Sequence, residues 1–341
     1  IIKKHNPKVQ LELLFKLLPN LRRKQAFIRV ENIKVLFDLS ETTDDVGSIA
    51  CELEQDAIKI GKHWSYICWP RSNLLPIQRV YFTWSEYISK ILKDTSSYPH
   101  YIVSGNQFFR DSSKICELSD DQRKLIKGKK VIGLLDRSIN YKSILVPSSG
   151  IKFFRRLIEM IDQNPNYVIL YKPKDIDGKL RIFDYDQKLK GLINNYIKNK
   201  RIIILDGSSN ADIVGKYADI TIAMGVNSAG FNLALTNSRV VYWDPSGFIN
   251  EHGSEAFGPN HNNLIFENLE RLFSSLNSFL KGERMTEAFG DQSKLISRIN
   301  EKTDCSHNEN IGIFISRYLK NISNGYSREK SLLNVVESFK G

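Results

Sequence analysis

Short apolar runs alternate with amphipathic, helix-like stretches along most of the chain. The first apolar run covers residues 32–38 and is followed by a helical pattern over 46–60. Further strands are predicted at 63–69, 78–82 and 100–103, and a further helix at 85–93. Strands that alternate with helices favour a parallel sheet over a β-sandwich. The first part of the chain is therefore predicted to be an α/β domain.

The second half of the chain repeats this alternation more regularly. Strands are predicted at 131–136, 167–171, 201–205, 219–223 and 239–243, and helices at 151–162, 187–198, 210–217 and 228–236. Each strand adjoins a loop of Gly, Ser, Asp or Pro, which is typical of a doubly wound open sheet. After residue 263 the pattern is helical, over 267–281, 292–301, 312–320 and 328–339.

A polar stretch without an apolar face separates these two regions. A chain of 341 residues exceeds what one hydrophobic core ordinarily supports, so two domains are expected. The predicted organisation is an N-terminal α/β domain over 1–111, a linker over 112–129, a Rossmann-like domain over 130–265 and a helical segment over 266–341. The helical segment is expected to pack on the second sheet or to cross back to the first domain. The chain begins at Ile1 without Met, and we expect the first domain to be truncated or reduced.

The composition restricts the class of protein. Hydrophobic residues make up 41% and charged residues 26% of the chain, which excludes a disordered or low-complexity protein. No apolar stretch approaches the roughly 18 residues of a membrane span. The four cysteines lie far apart without a C-x-x-C pair, so neither a zinc site nor a disulfide framework is indicated and a reducing cytoplasm fits best.

The net charge is +11, which favours polyanions, anionic lipid surfaces or phosphorylated small molecules as partners. The first thirty residues contain a group of basic residues, namely Lys3, Lys4, Lys8, Lys16, Arg22, Arg23, Lys24 and Arg29. This group is either a solvated basic face or a contact with a membrane surface or a lipid-linked substrate. The sequence leaves both readings open.

The carboxyl ends of the predicted strands are the candidate sites, because loops and helix N-termini converge there in open α/β sheets. Asp136 ends the strand over 131–136 and is followed by Arg137 and Ser138. Asp136 is either a catalytic carboxylate or the cap of the next turn, and the spacing alone favours the cap.

The next strand ends in two lysines that bracket Pro173. Ammonium groups at such a position bind phosphate as point charges, so Lys172 and Lys174 are predicted to bind phosphate. The alternative is an exposed loop. The D-x-D pairs that follow, Asp175 with Asp177 and Asp184 with Asp186, have the spacing of some metal sites but lie in a polar connection, and no metal is predicted.

A turn of small residues follows the strand over 219–223. Asn227 or Ser228 is predicted to cap the next helix, whose free N–H groups and positive dipole favour an anion. The glycines and an alanine keep this turn bare, so phosphate contact is predicted for Gly225, Asn227, Ser228 and Ala229. After the last strand, Asp244 is expected either to hydrogen-bond a ribose or base or to begin a type I turn.

Several common motifs are missing from the sequence. No G-x-G-x-x-G opens either domain, and neither a P-loop nor a G-x-S-x-G elbow is present. The six histidines show no ligand spacing, and each is expected to be at the surface or to have its hydrogen bonds satisfied. These absences weigh against a dinucleotide dehydrogenase, a P-loop enzyme and an α/β-hydrolase.

A series of short motifs runs through the middle of the chain. They are the sequences 84–86, 105–108, 172–174, 218–222, 227–228 and 242–245. In this order they resemble GT-B glycosyltransferases, in particular those of bacterial surface-polysaccharide clusters, over about residues 80–247. Where related proteins often have Arg-Pro-His-Pro, this chain has Lys-Pro-Lys-Asp, so it lacks the histidine at that position.

The resemblance implies two Rossmann-like domains that face one cleft. It implies a glycosyltransferase that uses a nucleotide-activated sugar with neither a bound metal nor another cofactor, with the donor on the second domain. Trp84 and Asn106 are then expected on the acceptor side. Asp136 and Glu86 are expected to face each other, one of them as general base or as nucleophile. For Glu86 the alternative is a first-turn acid favoured by the helix dipole.

The resemblance also suggests the partners and the compartment. The donor slightly preferred is a CMP-linked ulosonic acid such as Kdo, with UDP- or GDP-sugars and CDP-alditols as alternatives. The acceptor is expected to be a capsule, O-antigen or lipopolysaccharide glycan, free or lipid-linked, at the inner face of the cytoplasmic membrane. A non-catalytic module that binds polyanions or glycans is the other open class. Nucleic acid is not expected, because the aromatic residues lie mostly inside strand patterns.

Overall fold

The computed structural model describes residues 7–38, 45–54, 57–63, 76–107, 117–137, 139–141, 145–174, 184–247, 256–283, 288–301 and 307–339. The chain divides into two compact units. The first contains residues 1–107 and 298–341, and the second contains residues 108–297. The predicted limits of the domains and of the linker stay a prediction. The sequence 120–126, inside the predicted linker, forms a short helix in which no residue is buried.

The first unit contains a four-stranded parallel sheet with the strands in sequence order. Its strands are β1 (Val35–Asp38), β2 (Ile58–Lys62), β3 (Val80–Thr83) and β4 (His100–Val103). Its first helices are α1 (Pro7–Val30), α2 (Asp45–Leu53) and α3 (Glu86–Thr95). All three strand pairs are parallel, as the alternation of strands and helices predicts.

The C-terminal helices belong to the first unit. They are α11 (His307–Ser323) and α12 (Arg328–Glu337). Phe314 of α11 contacts Phe82 of β3 edge to face at 5.4 Å, and Leu332 and Val336 of α12 lie in the same buried cluster. These two helices therefore cover the sheet of the first unit.

The second unit contains a six-stranded parallel sheet. Its strands are β5 (Lys130–Leu135), β6 (Tyr167–Lys172), β7 (Ile202–Ile204), β8 (Ile220–Met224), β9 (Val240–Trp243) and β10 (Ile265–Phe266). Its helices are α4 (Asp120–Ile126), α5 (Pro147–Gln163), α6 (Gln187–Lys198), α7 (Asp212–Tyr217), α8 (Ser228–Ala234), α9 (Leu269–Leu280) and α10 (Ser293–Ile299), the last of which ends in the first unit. The strand order is β10-β9-β8-β5-β6-β7.

The strands of the second unit are apolar because both faces of the sheet are covered. Phe153 of α5 stacks on Trp243 of β9 at 4.9 Å, and both rings are buried. Parallel sheets with helices on both faces need such continuous apolar strands. The five strands predicted in this region are confirmed, and β10 is a short addition to them.

The helix predicted over residues 46–60 is wrong in its second half. Helix α2 ends at Leu53, and residues 58–62 form the buried strand β2. The charge of Lys59 within an apolar run gives this segment the sequence pattern of an amphipathic helix. Its side chain is only 2% exposed and forms an ion pair with Asp38 of β1 at 3.1 Å. Of the strand predicted over 63–69, only residue 63 lies within the described residues.

Candidate functional site

The strand order of the second unit defines its ligand-binding edge. The order corresponds to the doubly wound arrangement 3-2-1-4-5-6, in which ligands bind beyond the carboxyl ends where the order reverses. The reversal lies between β5 and β8. Leu135, the last residue of β5, pairs with Lys172 of β6 and with Ala223 of β8. The residues that follow these three strands therefore lie side by side.

Asp136 connects the ends of β5 and β6. The Tyr171 hydroxyl donates a hydrogen bond to its Oδ2 at 2.7 Å, and the backbone N–H of Lys174 donates to its Oδ1. The carboxylate is half-buried. The carboxylate therefore accepts donors both from β6 and from the loop that follows it. Its position is consistent with a structural clamp and with a reacting carboxylate.

Arg137 lies against the end of β8. Gly225 follows that strand with a φ of +74°, and a Cβ added there would lie 2.9 Å from Arg137 Nη1 and 3.2 Å from its Cδ. Only glycine allows both this backbone conformation and this close approach. Arg137 thus follows β5 in sequence but lies beside the first residue after β8. Ser138, predicted to bind the donor with Arg137, lies outside the described residues.

Lys172 is held by backbone carbonyls. Its Nζ donates to the carbonyl oxygens of Pro173 at 2.6 Å and Gly207 at 2.8 Å. Burial lowers the pKa of the Lys172 ammonium, while the carboxylates of Asp136 and Asp206 act in the opposite direction. Within the described part of the chain, these bonds use two of its three N–H donors. Lys172 therefore connects the loops after β6 and β7 and keeps one donor for a ligand, whereas the side chain of Lys174 is exposed.

The predicted cap of α8 is Asn227. Its Oδ1 accepts a hydrogen bond from the Gly230 N–H at 2.9 Å, and its Nδ2 donates to the Gly225 carbonyl at 3.1 Å. The side chain of Asn227 is thus used within the turn. Ser228 and Ala229 are half-buried in the first turn of this seven-residue helix. Their contact with phosphate, and that of Gly225 and Asn227, stays a prediction.

The glycines of this turn have packing reasons that the sequence did not reveal. A Cβ added to Gly230 would lie 2.5 Å from Cε1 of Tyr242, a buried residue of β9. Gly230 is therefore small because α8 packs closely on the sheet. Packing on Tyr242 is therefore enough to account for Gly230, and the close approach of Arg137 is enough to account for Gly225. Neither glycine indicates a ligand by itself.

Asp244 forms the turn after β9. Its Oδ1 accepts hydrogen bonds from the Ser246 N–H at 3.2 Å and from the Ser246 hydroxyl at 2.5 Å, and the residue is buried. These contacts favour the turn reading. The predicted contact with a ribose or base stays a prediction.

The candidate residues of the first unit lie mostly inside it. Trp84 is fully buried, packs against the His63 ring in a tilted arrangement at 4.2 Å and donates its Nε1–H to the His63 carbonyl at 3.2 Å. Asn106 is only 2% exposed. Direct contact of Trp84 with an acceptor therefore has no support in its position, because a core side chain is not available to a ligand.

Glu86 occupies the first turn of α3. Ser85 caps this helix through its hydroxyl, which accepts from the Ile88 N–H at 3.2 Å. The Glu86 side chain is exposed, and its N–H donates to Glu301 Oε2 at 3.0 Å. A second carboxylate thus lies at this helix start, which the sequence reading missed because Glu301 is more than two hundred positions away.

The sequence reading also missed a buried histidine. His307 Nδ1 lies 2.7 Å from the Gly105 carbonyl and 2.8 Å from the Ser104 hydroxyl, and Asn310 Nδ2 donates to the Ser104 carbonyl at 3.2 Å. Burial lowers the pKa of His307 to about 4. This neutral imidazole connects α11 to the end of β4, and spacing could not have revealed a contact across about two hundred residues.

The described residues contain no group of three or more His, Cys, Asp or Glu side chains arranged to hold a metal ion. Asp175 and Asp177 lie outside them. Asp186 caps α6, where its Oδ1 accepts from the Leu189 N–H at 3.0 Å, and it pairs with Arg155. Capping therefore explains Asp186 without a metal.

Across the described residues, no helix combines the length and the apolar character that crossing a bilayer requires.

Neither a family model nor a curated protein matches the sequence. Solved structures match most of it. S. aureus MnaA in its co-structure with UDP aligns with a TM-score of 0.59 and 13% identity, over 90% of this chain and 82% of that chain. A putative UDP-N-acetylglucosamine 2-epimerase from Listeria monocytogenes aligns with a TM-score of 0.58 and 13% identity, over 90% of this chain and 78% of the other.

A third similar structure is that of the wall teichoic acid polymerase TagF with CDPG. It aligns with a TM-score of 0.51 and 12% identity, over 86% of this chain and 72% of that chain. Identities this low show the fold alone. The chain has an α/β fold of the GT-B type with two Rossmann-like domains, so the fold class predicted from the sequence is confirmed.

Proposed function

We propose that the chain is a glycosyltransferase that moves a sugar from a nucleotide-activated donor to a growing bacterial surface glycan. The observation that carries the proposal is the edge where β5, β6 and β8 end. There Asp136, Arg137, Lys172 and Lys174 come together at the reversal of the strand order. A carboxylate beside several cations suits a reaction in which a nucleotide phosphate departs.

The cations would bind the donor phosphates. Arg137 offers a planar fork of N–H donors, and Lys172 offers its remaining N–H. Fixed positive groups stabilise the charge that develops on the leaving phosphate, which is the work of a metal ion in other enzymes. Ser138, Lys174, Asp244 and the turn from Gly225 to Ala229 are the further proposed donor contacts. A metal-independent reaction is part of the proposal.

The transfer breaks the bond between the anomeric carbon and the phosphate oxygen, whose electron pair leaves with the nucleotide. The acceptor hydroxyl forms the new bond, and its proton passes to a carboxylate. We propose Asp136 for this role, with Glu86 of the first unit as the other candidate. If the anomeric configuration is retained, the carboxylate acts first as nucleophile.

The donor is the least determined part of the proposal. The similar structures of MnaA and TagF are those with UDP and with CDPG, respectively, whereas the resemblance seen in the sequence favours a CMP-linked ulosonic acid such as Kdo. CMP-, UDP-, GDP- and CDP-linked donors therefore all enter the test. The proposed acceptor is a capsule, O-antigen or lipopolysaccharide glycan.

We further propose peripheral contact with an anionic membrane through α1. Phe27 is 56% and Val30 is 79% exposed on this helix, which also carries the basic residues Arg22, Arg23 and Arg29. Exposed apolar residues beside arginines are typical of interfacial helices. Flotation with phosphatidylglycerol vesicles should recover the wild type and lose the Phe27→Ser variant. Equal recovery of both proteins would contradict this contact.

The experiment that tests the main proposal is nucleotide release from the four donor classes in the presence of surface-glycan acceptors. We expect release from one class, coupled to a new glycosidic bond detected by mass spectrometry. Arg137→Ala should suppress the release, and Lys124→Ala is the matched control, because this exposed cation lies on α4 ahead of β5.

Two results would overturn the proposal that the chain is a glycosyltransferase. One is conversion of the donor sugar without nucleotide release, which would indicate an epimerase. The other is binding of a polyanion by a protein that binds none of the nucleotides, which would indicate the non-catalytic module.

A further inference from the structure

Two exposed tyrosines meet at the edge where β5 and β6 end. Tyr141 lies in the loop between β5 and α5, and Tyr185 lies in the loop between β6 and α6. Their ring centroids are 5.7 Å apart, with the planes at 89°. Tyr141 is 78% exposed, the highest value for a tyrosine among the described residues, and Tyr185 is 38% exposed.

Both rings are carried by loops that are anchored in the unit. Ile139 and Leu145 form an isolated parallel bridge and are buried, so Tyr141 follows a buried residue of the unit by two positions. Tyr185 directly precedes Asp186, which caps α6 and forms an ion pair with Arg155 of α5 at 3.0 Å. Both exposed side chains therefore lie next to residues that are held by contacts within the unit.

An edge-to-face pair in solvent leaves aromatic surface uncovered. Of two perpendicular rings, one has a face occupied by the edge of the other, and the remaining faces stay open. Such faces stack on a planar ring, and stacking of a nucleobase on an aromatic side chain strengthens binding by about 5- to 150-fold. The pair is thus suited to a flat ligand that enters between the loops.

The cations of the same loops indicate what this ligand carries. Arg137 precedes Tyr141 by four residues, which places their Cα atoms within about 14 Å of each other. Lys174 precedes Tyr185 in the other loop. An aromatic surface on loops that also carry cations matches a nucleotide, whose base is flat and whose phosphates are anionic.

We infer that Tyr141 and Tyr185 bind the nucleobase of the donor by stacking, with the phosphates directed toward Arg137 and Lys172. This inference rests on the proposed function and adds to it the subsite for the base. A sugar ring of the acceptor also stacks on tyrosine. The base is favoured because both tyrosines lie on the unit and the edge that carry the cations.

The test measures nucleotide affinity by isothermal titration calorimetry. The nucleoside diphosphate or monophosphate that binds the wild type is titrated into Tyr141→Ala, Tyr185→Ala and Tyr141→Phe. We expect Tyr141→Ala to weaken binding by about tenfold or more and Tyr141→Phe to retain affinity, because phenylalanine keeps the ring. The matched control is Tyr326→Ala, which removes an exposed tyrosine of the first unit.

Pyrophosphate is the second probe, because it has no base. Its affinity should be unchanged in Tyr141→Ala and reduced in Lys172→Ala. An equal loss of nucleotide and pyrophosphate affinity in Tyr141→Ala would overturn the inference, since the ring would then act on the phosphates or on the fold. Near-UV circular dichroism verifies the fold of each variant.

The remaining outcomes separate this inference from the proposed function. If the wild type binds nucleotide and Tyr141→Ala binds it equally well, the inferred base subsite is refuted, whereas the proposed glycosyltransferase function is not affected. If Tyr141→Ala instead raises only the KM for the acceptor, the tyrosines belong to the acceptor. If no nucleotide binds the wild type, the proposed function itself fails.

Discussion

The two parallel sheets end in very different surroundings. At the carboxyl edge of the second unit's sheet, Asp136, Arg137 and Lys172 are half-buried and charged. At the same edge of the first unit's sheet, Trp84 and His307 are almost completely buried, and both belong to neutral contacts. Strand topology marks both edges as candidate sites. Among the described residues, the second unit's edge gathers charged groups of both signs, whereas at the first unit's edge the exposed Glu86 lies beside buried neutral groups.

This difference means that substitutions at the two edges should affect different properties of the protein. The residues of the first edge pack and hydrogen-bond with one another, so substitutions there should lower the free energy of unfolding. Those of the second unit's edge are charged and are proposed to bind the donor, so substitutions there should lower affinity or turnover while the fold survives.

The largest expected effect is on stability, from Trp84→Ala. Removal of a fully buried indole should lower the free energy of unfolding by about 3–5 kcal/mol, because the cavity does not refill. Chemical denaturation measures this loss, and the nucleotide affinity of the folded protein should not change. If Trp84 contacts the acceptor, the variant would keep its stability and show a raised KM instead.

The second prediction concerns the stability of the fold at acidic pH. The pKa of His307 is lowered by burial from 6.5 to about 4, opposed by the hydrogen bond to Gly105 and reinforced by the charge of Lys62. Between these values the unfolded chain binds a proton that the folded chain does not. Stability is therefore full above about pH 6.5, and about 3 kcal/mol is lost as the pH falls to 4.

Denaturation midpoints measured from pH 7 to pH 4 check this loss. Carboxylates also titrate in that range, so the His307→Gln variant is the control, and the difference between the two profiles reports the histidine. Parallel profiles would show that His307 is protonated equally easily in both states.

The third prediction places chemistry at the second edge. Asp136→Asn should lower turnover by about 100-fold or more, equivalent to about 2.7 kcal/mol of activation free energy, because an amide cannot take the acceptor proton. Nucleotide affinity should change little. Tyr171→Phe removes only the hydroxyl that orients Asp136, so a smaller loss of turnover is expected. Near-normal turnover in Asp136→Asn would move the catalytic role to Glu86.

The sequence predicts well what neighbouring residues determine. The strands of the second unit are predicted because residues such as 131–135 and 220–224 are mostly apolar, and the capping role of Asn227 follows from residue type. What depends on distant partners was missed. Strand β2 contains Lys59, whose burial is understandable only with Asp38 beside it.

The candidate site follows the same division. The resemblance implies Trp84 on the acceptor side, and this stays a prediction. Its burial against His63 could not be predicted, because an aromatic residue after a strand has the same sequence pattern whether it is exposed or buried. The clamp between Ser104 and His307 joins residues about two hundred positions apart. The edge with Asp136, Arg137 and Lys172 was accessible to sequence reasoning because parallel strands bring their ends together.

The smallest expected effect, and the sharpest test of the comparison, is Lys172→Ala. Lys172 both joins two loops and is proposed to bind phosphate, so its loss should weaken nucleotide binding by about 1–3 kcal/mol. A direct phosphate contact requires that the loss diminish as salt is added, since screening already weakens the wild type. Lys124→Ala on α4 removes an equal charge far along the chain and should change neither affinity nor its salt dependence. If Lys172→Ala lowers the melting temperature but leaves the Kd for nucleotide unchanged, Lys172 only joins loops. The charged edge of the second unit's sheet would then, like the edge of the first unit's sheet, contribute to stability at this residue and not to ligand binding.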